Sequence, residues 1–478
     1  MDCPIPSNRA PFTFDEVAEA LNSPAHSGHF ERALGVVTDT RAEVAGKLFV
    51  ALRGEHFDGH DFVTQALQRG ACAAIVDREV AAPVGACVYR VPSALLALGQ
   101  LARLHRRRWS GRLVAIGGSA GKTTTRVAAT SLLSTLCGEA VHSTAGNQNN
   151  AVGVPMTLLG LEPSHQVAVL EIGTNHTGEV SQLGQIAEPN VALVTLIAVE
   201  HSEGLGNLDS IEREEGDLFR SLPPSGLAIG NADDSRIVRQ LASSSIADQI
   251  TYGSSRQAGY RIVGREALAT DRQLITIERH PRLGGKRLTV KTHLVGLAGA
   301  LASAAAVALG DQLFHLFDSG QVGAALDLEA KGEFGRLQVR ERDDGTVVID
   351  DSYNANPASM ESSIAFARQL AEARHARLLL FLGEMRELGQ MSAQAHESMA
   401  ERVGPTDCAV VVGDQFRPFL DRAKSLGVGC EWYPDSRSAA LRVDQLIQEG
   451  DVILVKGSRG ARMERVVHAI MPQKGGCS

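Results

Sequence analysis

Short apolar runs, each closed by glycine or by an acid, punctuate this chain, and longer stretches with helical periodicity lie between them. Such alternation predicts an α/β protein built on parallel sheets. In the first unit, residues 1–110, Leu48-Phe49-Val50-Ala51-Leu52 reads as a strand ended by Arg53-Gly54. Residues 70–77 enter another strand, 14–21 and 61–68 read as helices, and Asp58-Gly59-His60 reads as a turn. The polar Asp39-Thr40-Arg41 before the first strand reads as turn chemistry.

The second unit, residues 111–330, opens with the apolar run 113–116, then glycines over 117–121, then a helical pattern over 122–136. Strand, glycine loop and helix in that order make a cradle for phosphate. Glycines let backbone N–H groups turn inward, and the helix N-terminus adds partial positive charge. Gly118-Ser119-Ala120-Gly121-Lys122-Thr123-Thr124 is that loop, although the strict eight-residue pattern lacks its first glycine, with Ile116 in its place. Lys122 would reach the β- and γ-phosphates of a nucleotide, and Thr123 would offer its hydroxyl to Mg²⁺.

Further strands follow in the same unit. The run 167–173 carries Glu171, and an acid at the carboxyl end of a strand is where a nucleotide site places its Mg²⁺ ligand. Residues 191–197 run into Glu200-His201, and a histidine just past such a strand lies where open α/β sheets bind ligands. Asn147, Asn149 and Asn150 crowd one loop, which suits a polar ligand or an asparagine-rich turn. A helix bearing Glu212, Glu214, Glu215 and Asp217 reads as a mostly solvated acidic face. The uncharged stretch 294–310 is rich in alanine and glycine, which favours a buried helix over a membrane span. The third unit, residues 331–478, repeats the pattern, with strands over 347–351, 376–383, 408–413 and 451–457. It predicts a second doubly wound domain.

Composition narrows the class. At 478 residues the chain is too long for one core. Its 44% hydrophobic and 21% charged residues are ordinary for a soluble protein. A net charge of −8 argues against a nucleic-acid partner, and the one basic cluster, His105-Arg106-Arg107-Arg108, reads as a solvated helix end. Seven scattered cysteines and an N-terminus without signal-peptide character predict a cytoplasmic protein with reduced thiols.

Taken together, these motifs resemble the Mur ligases, ATP-dependent enzymes that add amino acids to the peptidoglycan precursor. The glycine loop is similar to their shortened phosphate loop. Gly146-Asn147-Gln148-Asn149-Asn150, Asp350-Asp351-Ser352-Tyr353-Asn354-Ala355-Asn356-Pro357, Val455-Lys456-Gly457-Ser458-Arg459 and the stretch from Gly383 to Gly389 with His396 resemble the member acting last in the series. The resemblance implies three domains: an N-terminal UDP-precursor-binding domain (1–110), a central ATP-binding P-loop domain (111–330) and a C-terminal Rossmann-like ligase domain (331–478). It implies ATP and Mg²⁺, with UDP-N-acetylmuramoyl-tripeptide and D-alanyl-D-alanine as substrates, in a monomer without membrane span. A sister ligase with another acceptor, or a weakly catalytic precursor-binding homologue, are the alternatives.

Residue roles follow from the same resemblance. Lys122, Glu171, His201 and Glu215 would be catalytic, and Thr123, Glu171, His201 and Glu215 would hold metal. Arg336 and Asp351 would reach the nucleotide from the third domain. Thr40, Arg41, Asn147, Asn149, Asn150, Tyr353, Asn354 and Asn356 would bind substrate. Two positions depart from the family: Gly296 stands where an asparagine usually touches adenine, and Glu215 stands where a carbamylated lysine is usual.

Overall fold

A computed structural model describes residues 7–25, 28–318, 320 and 325–471. Three main sheets carry the chain. A four-stranded parallel sheet takes Val36–Val37, Leu48–Val50, Ala73–Val76 and Val88–Arg90 in sequence order, beside a small antiparallel pair, Pro11–Thr13 with Arg32–Leu34. A ten-stranded sheet holds every strand between Arg112–Gly117 and Ala325–Leu328. A six-stranded sheet is parallel except for its edge strand, Gln338–Glu341.

In the largest sheet, Arg112–Gly117 lies between Val167–Glu171 and Val191–Val194, parallel to both. Every residue of Val167–Glu171 and of Leu378–Gly383 is buried. This is why they appear in the sequence as unbroken apolar runs: a parallel sheet is covered on both faces. The expected strand over 191–197 stops at Val194 because Thr195 leaves the ladder. Its hydroxyl donates to Gly117 O (3.1 Å) and Ala120 O (2.6 Å), shaping the loop beside it. The helix expected over 61–68 starts instead as a 3₁₀ turn, Gly59–Phe62, capped by Asp58, and becomes α-helical at Val63–Gln68.

The alanine-rich stretch forms Gly296–Phe314, a helix buried nearly all round. It is long and apolar enough to suit a membrane by length alone, yet it lies in the core against Lys122–Cys137. A Cβ at Gly310 would stand 2.7 Å from Leu132, so glycine lets the two helices close up.

The basic cluster departs from expectation. His105 and Arg106 are buried at the end of helix Ala94–Arg108, not solvated. Arg106 donates to Ala187 O, Glu188 O, Asn190 Oδ1 and Trp109 O at 3.0–3.1 Å. Arg103 and Arg107 pair with Glu188. Two of these acceptors, Ala187 O and Glu188 O, are carbonyls at the C-terminus of helix Glu179–Ala187, where cations are favoured by the helix dipole. A basic run that reads as surface is thus the joint between the first unit and the central sheet. The acidic helix departs too. Within Leu208–Arg220, Glu212, Glu214 and Glu215 are buried, and Glu212 pairs with Arg236 and Arg239, each at 2.7 Å.

Arg106→Met should lower stability by about 3 kcal/mol, since several buried acceptors lose their donor together. Arg107→Ala, at the exposed rim, should cost less than about 1 kcal/mol. Urea denaturation of both variants checks the contrast, and equal small losses would place Arg106 in solvent.

Candidate active site

The phosphate loop is built by its neighbours. Gly118 has φ +118° and Gly121 φ +87°, and a Cβ on Gly118 would fall 2.3 Å from Thr195 Oγ1. Only glycine fits that turn. Ser119 N donates to Leu196 O (2.6 Å), and the Ser119 hydroxyl accepts from Ala198 N (3.0 Å), so the loop is tied to the chain beyond Val194. Gly121 caps helix Lys122–Cys137 with no side chain, which leaves the first-turn N–H groups for an anion. Lys122 folds back: its ammonium donates to Gly118 O and lies 3.5 Å from Glu200 Oε1.

Three buried carboxyls surround this lysine. Glu171 accepts from Thr123 Oγ1 (3.0 and 3.1 Å), Asn149 Nδ2 (2.9 Å) and Arg126 Nε (3.3 Å). Glu215 is 1% exposed, and its Oε2 accepts from Gly118 N at 2.6 Å. Burial pushes Glu215 up to about 7 and Glu200 up to about 8, against the pull of Lys122. Burial alone would lower Lys122, but Glu200, Glu215 and Glu171 outweigh it and its pKa is raised. The lysine is therefore a firm cation, and Glu200 and Glu215 beside it can take up or release protons near neutral pH.

The third unit closes over the loop. Asn356 Nδ2 donates to Ser119 O (3.2 Å), while Asn356 Oδ1 caps helix Pro357–Arg374 through Ser359 N (2.9 Å). His201, in the left-handed region at φ +45°, pairs through Nδ1 with Glu387. Burial lowers the His201 pKa against the attraction of Glu387. Arg126 pairs with Glu333. Tyr353 lies between two guanidinium groups, Arg336 at 4.3 Å and Arg459 at 5.5 Å from its ring centre. Asp351 Oδ2 accepts from Lys456 Nζ (2.5 Å) and Ser363 Oγ (2.6 Å).

Two cavities meet at Ser119, Ala120 and Gly121. One, about 460 Å³, is polar and lined by Lys122, Glu171, Glu200, His201, Arg386 and Arg459. The other, about 340 Å³, is mostly apolar and runs from Thr124 to the start of helix Gly296–Phe314, with Arg336, Asp351 and Asn354 on its far side. Asn147 and Tyr353 line the polar cavity. Asn150 also does, but its Oδ1 accepts from Val152 N and Gly153 N, so it builds the turn. Thr40 and Arg41 line neither cavity; they sit on the first unit, where Asp39 holds Arg41 at 2.6 Å. Sequence reasoning missed Glu200, Arg126, Glu333 and Glu387. Glu200 was adjacent to a flagged histidine, but nothing in the sequence says which way its side chain turns.

The oxygen set of Thr123 and Glu171 suits Mg²⁺, which takes hard oxygen ligands and keeps room for phosphate and water. Among the described residues no group of three His, Cys, Asp or Glu is gathered as a ready metal cage.

Comparison with known proteins agrees over the length of the chain. Family models described as Mur ligase family, catalytic domain, as Mur ligase middle domain, and as Mur ligase, glutamate ligase domain match residues 34–106, 116–310 and 335–459. The UDP-N-acetylmuramoyl-tripeptide–D-alanyl-D-alanine ligase of Escherichia coli (strain K12) is 36% identical over 456 residues, covering 92% of this chain and 94% of its own. A crystal structure of MurF from Acinetobacter baumannii superposes with a TM-score of 0.86 at 28% identity, covering 98% and 100% of the two chains. The MurF ligase of Thermotoga maritima in complex with ADP gives 0.78 at 26% identity, covering 91% and 96%.

The neighbours Glu214 and Glu215 separate by role. Glu214 accepts from Gly178 N (2.7 Å) and Val180 N (2.8 Å), anchoring the start of helix Glu179–Ala187. Glu214→Ala should cost about 1–3 kcal/mol of stability, because two buried N–H groups lose their acceptor. Thermal denaturation checks this, and an unchanged melting point would mean that water replaces the carboxylate.

Proposed function

The chain belongs to the Mur ligase family, and on that premise we propose how its residues join D-alanyl-D-alanine to the UDP-N-acetylmuramoyl-tripeptide at the expense of ATP, in peptidoglycan synthesis. One observation carries the reading: a lysine in a phosphate loop, ringed by buried carboxyls and covered by a third domain.

The tripeptide's terminal carboxylate attacks the γ-phosphorus of ATP, forming an acyl phosphate and releasing ADP. The amine of D-alanyl-D-alanine then attacks the acyl carbon, the C–O bond breaks, and phosphate leaves. Phosphoryl transfer asks mainly for positioning and charge neutralisation. Lys122 turns from Gly118 O to the phosphates, and the first-turn N–H groups of its helix face the same anion. Gly118, Ser119, Ala120, Gly121, Thr123 and Thr124 form the cradle. Arg336 and Asp351 reach the nucleotide from the third domain, beside the apolar cavity. Asn356, by gripping Ser119 O, couples that domain's position to the loop and helps to exclude water from the acyl phosphate.

Residues 1–110 hold the uridine-nucleotide end of the precursor, with Thr40 and Arg41 on their exposed turn. Asn147, Asn149, Asn150, Tyr353 and Asn354 receive the peptide end in the polar cavity. Thr123 and Glu171 would hold Mg²⁺, with His201 and Glu215 close to Lys122 as further ligands; Mg²⁺ neutralises phosphate charge when bound. Glu215 supplies, without modification, the carboxyl that the family usually obtains from a carbamylated lysine. One of its oxygens is held by Gly118 N and the other remains for a cation. The free thiols of the described cysteines and the need for ATP fit the cytoplasm.

Steady-state ligation tests these assignments together. Lys122→Ala should reduce kcat about 10²–10³-fold in a folded protein, and Glu215→Gln by a comparable factor, as loss of one charge-stabilising group does. The wild type should keep full activity in CO₂-depleted buffer, since no carbamate has to form. Near-normal turnover of either variant would remove that residue from the catalytic set, and dependence on bicarbonate would overturn the role of Glu215.

A further inference from the structure

The apolar cavity poses a recognition problem. It extends from the phosphate loop to Leu294, Val295, Leu297, Ala298 and Leu301, the only direction in which an apolar surface continues from Ser119–Gly121 among the two cavities that meet there. A nucleotide whose phosphates lie on the loop must place its base there. Yet Gly299 on the wall carries no side chain, and Gly296 beside it stands where the family usually has an asparagine.

The backbone carbonyls there each already accept a hydrogen bond. Leu294 O accepts from Gln273 Nε2 at 2.5 Å, and Gly296 O accepts from the same amide at 3.0 Å. Val295 O accepts from Gly299 N at 3.3 Å. Asn231 is also committed, donating to Thr195 O (3.1 Å) and accepting from Asp233 N (3.0 Å). The exocyclic amine of adenine therefore meets carbonyls that are already engaged.

A buried phenol on this wall is uncommitted. Tyr252 is 1% exposed, packs in the same apolar cluster as Leu294 and Ala302, and lines the cavity. Its hydroxyl makes no hydrogen bond among the described residues, and burial raises its pKa so that it stays a neutral phenol. A phenol O–H both donates and accepts, and it rotates to suit its partner. It can accept from a 6-amino group or donate to a 6-oxo group. Strong discrimination between two such groups arises when the wrong one leaves a buried polar atom unpaired. A hydroxyl leaves none unpaired in either case.

Resting on the ligase reading above, we infer that this cavity recognises a purine by shape and by the Tyr252 hydroxyl, without distinguishing 6-amino from 6-oxo purines. ITP is then a co-substrate alongside ATP. A pyrimidine fills less of the apolar wall and is rejected by lost contact.

The test is phosphate release that requires both UDP-N-acetylmuramoyl-tripeptide and D-alanyl-D-alanine, driven in turn by ATP, ITP and CTP. The expected kcat/KM for ITP lies within about tenfold of that for ATP, the size of a single net hydrogen bond, and that for CTP lies well below both. A preference for ATP over ITP beyond tenfold overturns the inference, as does CTP matching ATP. Absence of ligation with ATP itself would strike the ligase reading instead. Tyr252→Phe, checked for folding by its melting point, should lower kcat/KM for ATP and ITP by the same factor of about 2–12. Loss with only one of them, or with neither, would show that another group reads the base. The wild-type ratio decides the matter even if that variant does not fold.

Discussion

The ammonium of Lys122 sets the terms for the centre of this molecule. Lys122 sits at the head of a helix with the buried carboxyls of Glu171, Glu200 and Glu215 around it. Three buried carboxylates facing one another would be costly, and one cation cannot neutralise all of them. The centre resolves the conflict by raising the pKa of Glu200 and Glu215 and by tying Glu171 and Glu215 to Thr123, Asn149, Arg126 and Gly118. Phosphates with a divalent cation change the balance, because they bring charge of both signs into the same volume. An excess of acid around a phosphate loop, which alone would repel a nucleotide, is what the proposed binding of Mg²⁺ would offset.

Contacts at the ends of elements of the central unit hold the other two units to it. The first unit is fixed to the central sheet through Arg106 at the end of helix Glu179–Ala187. The third is fixed through Asn356 on Ser119 O and through Glu387 on His201. Each contact joins a side chain to groups at the end of a strand or helix, the parts of a fold that carry unsatisfied backbone polarity. Domain position and loop geometry therefore depend on one another, which suits a reaction whose intermediate must be shielded from water.

Much of this was legible in the sequence, for physical reasons. Buried parallel strands must be continuous apolar runs, so Leu113, Val169, Leu193, Ile349 and Leu380 announced their sheets. The glycine loop was legible because only glycine reaches its backbone angles. What failed was the reading of charge. Arg106, Glu212 and Glu214 looked like solvated faces because burial of a charge depends on partners distant in sequence, which periodicity does not reveal. Arg106 finds carbonyls more than 80 residues away, and Glu215 finds the Gly118 amide 97 residues away. Tyr252 gave no sequence signal at all, since a lone aromatic residue in a strand is ordinary core.

On the mechanism proposed above, ATP phosphorylates the tripeptide carboxylate on this loop before the amine attacks. Tracing oxygen tests it most directly. With ¹⁸O in the terminal carboxylate of the tripeptide, the acyl phosphate pathway transfers one labelled oxygen to each phosphate released, because the C–O bond breaks when the amine attacks. Mass spectrometry of that phosphate should show one ¹⁸O per molecule formed. Phosphate free of label, with ligation proceeding at its normal rate, would contradict the account.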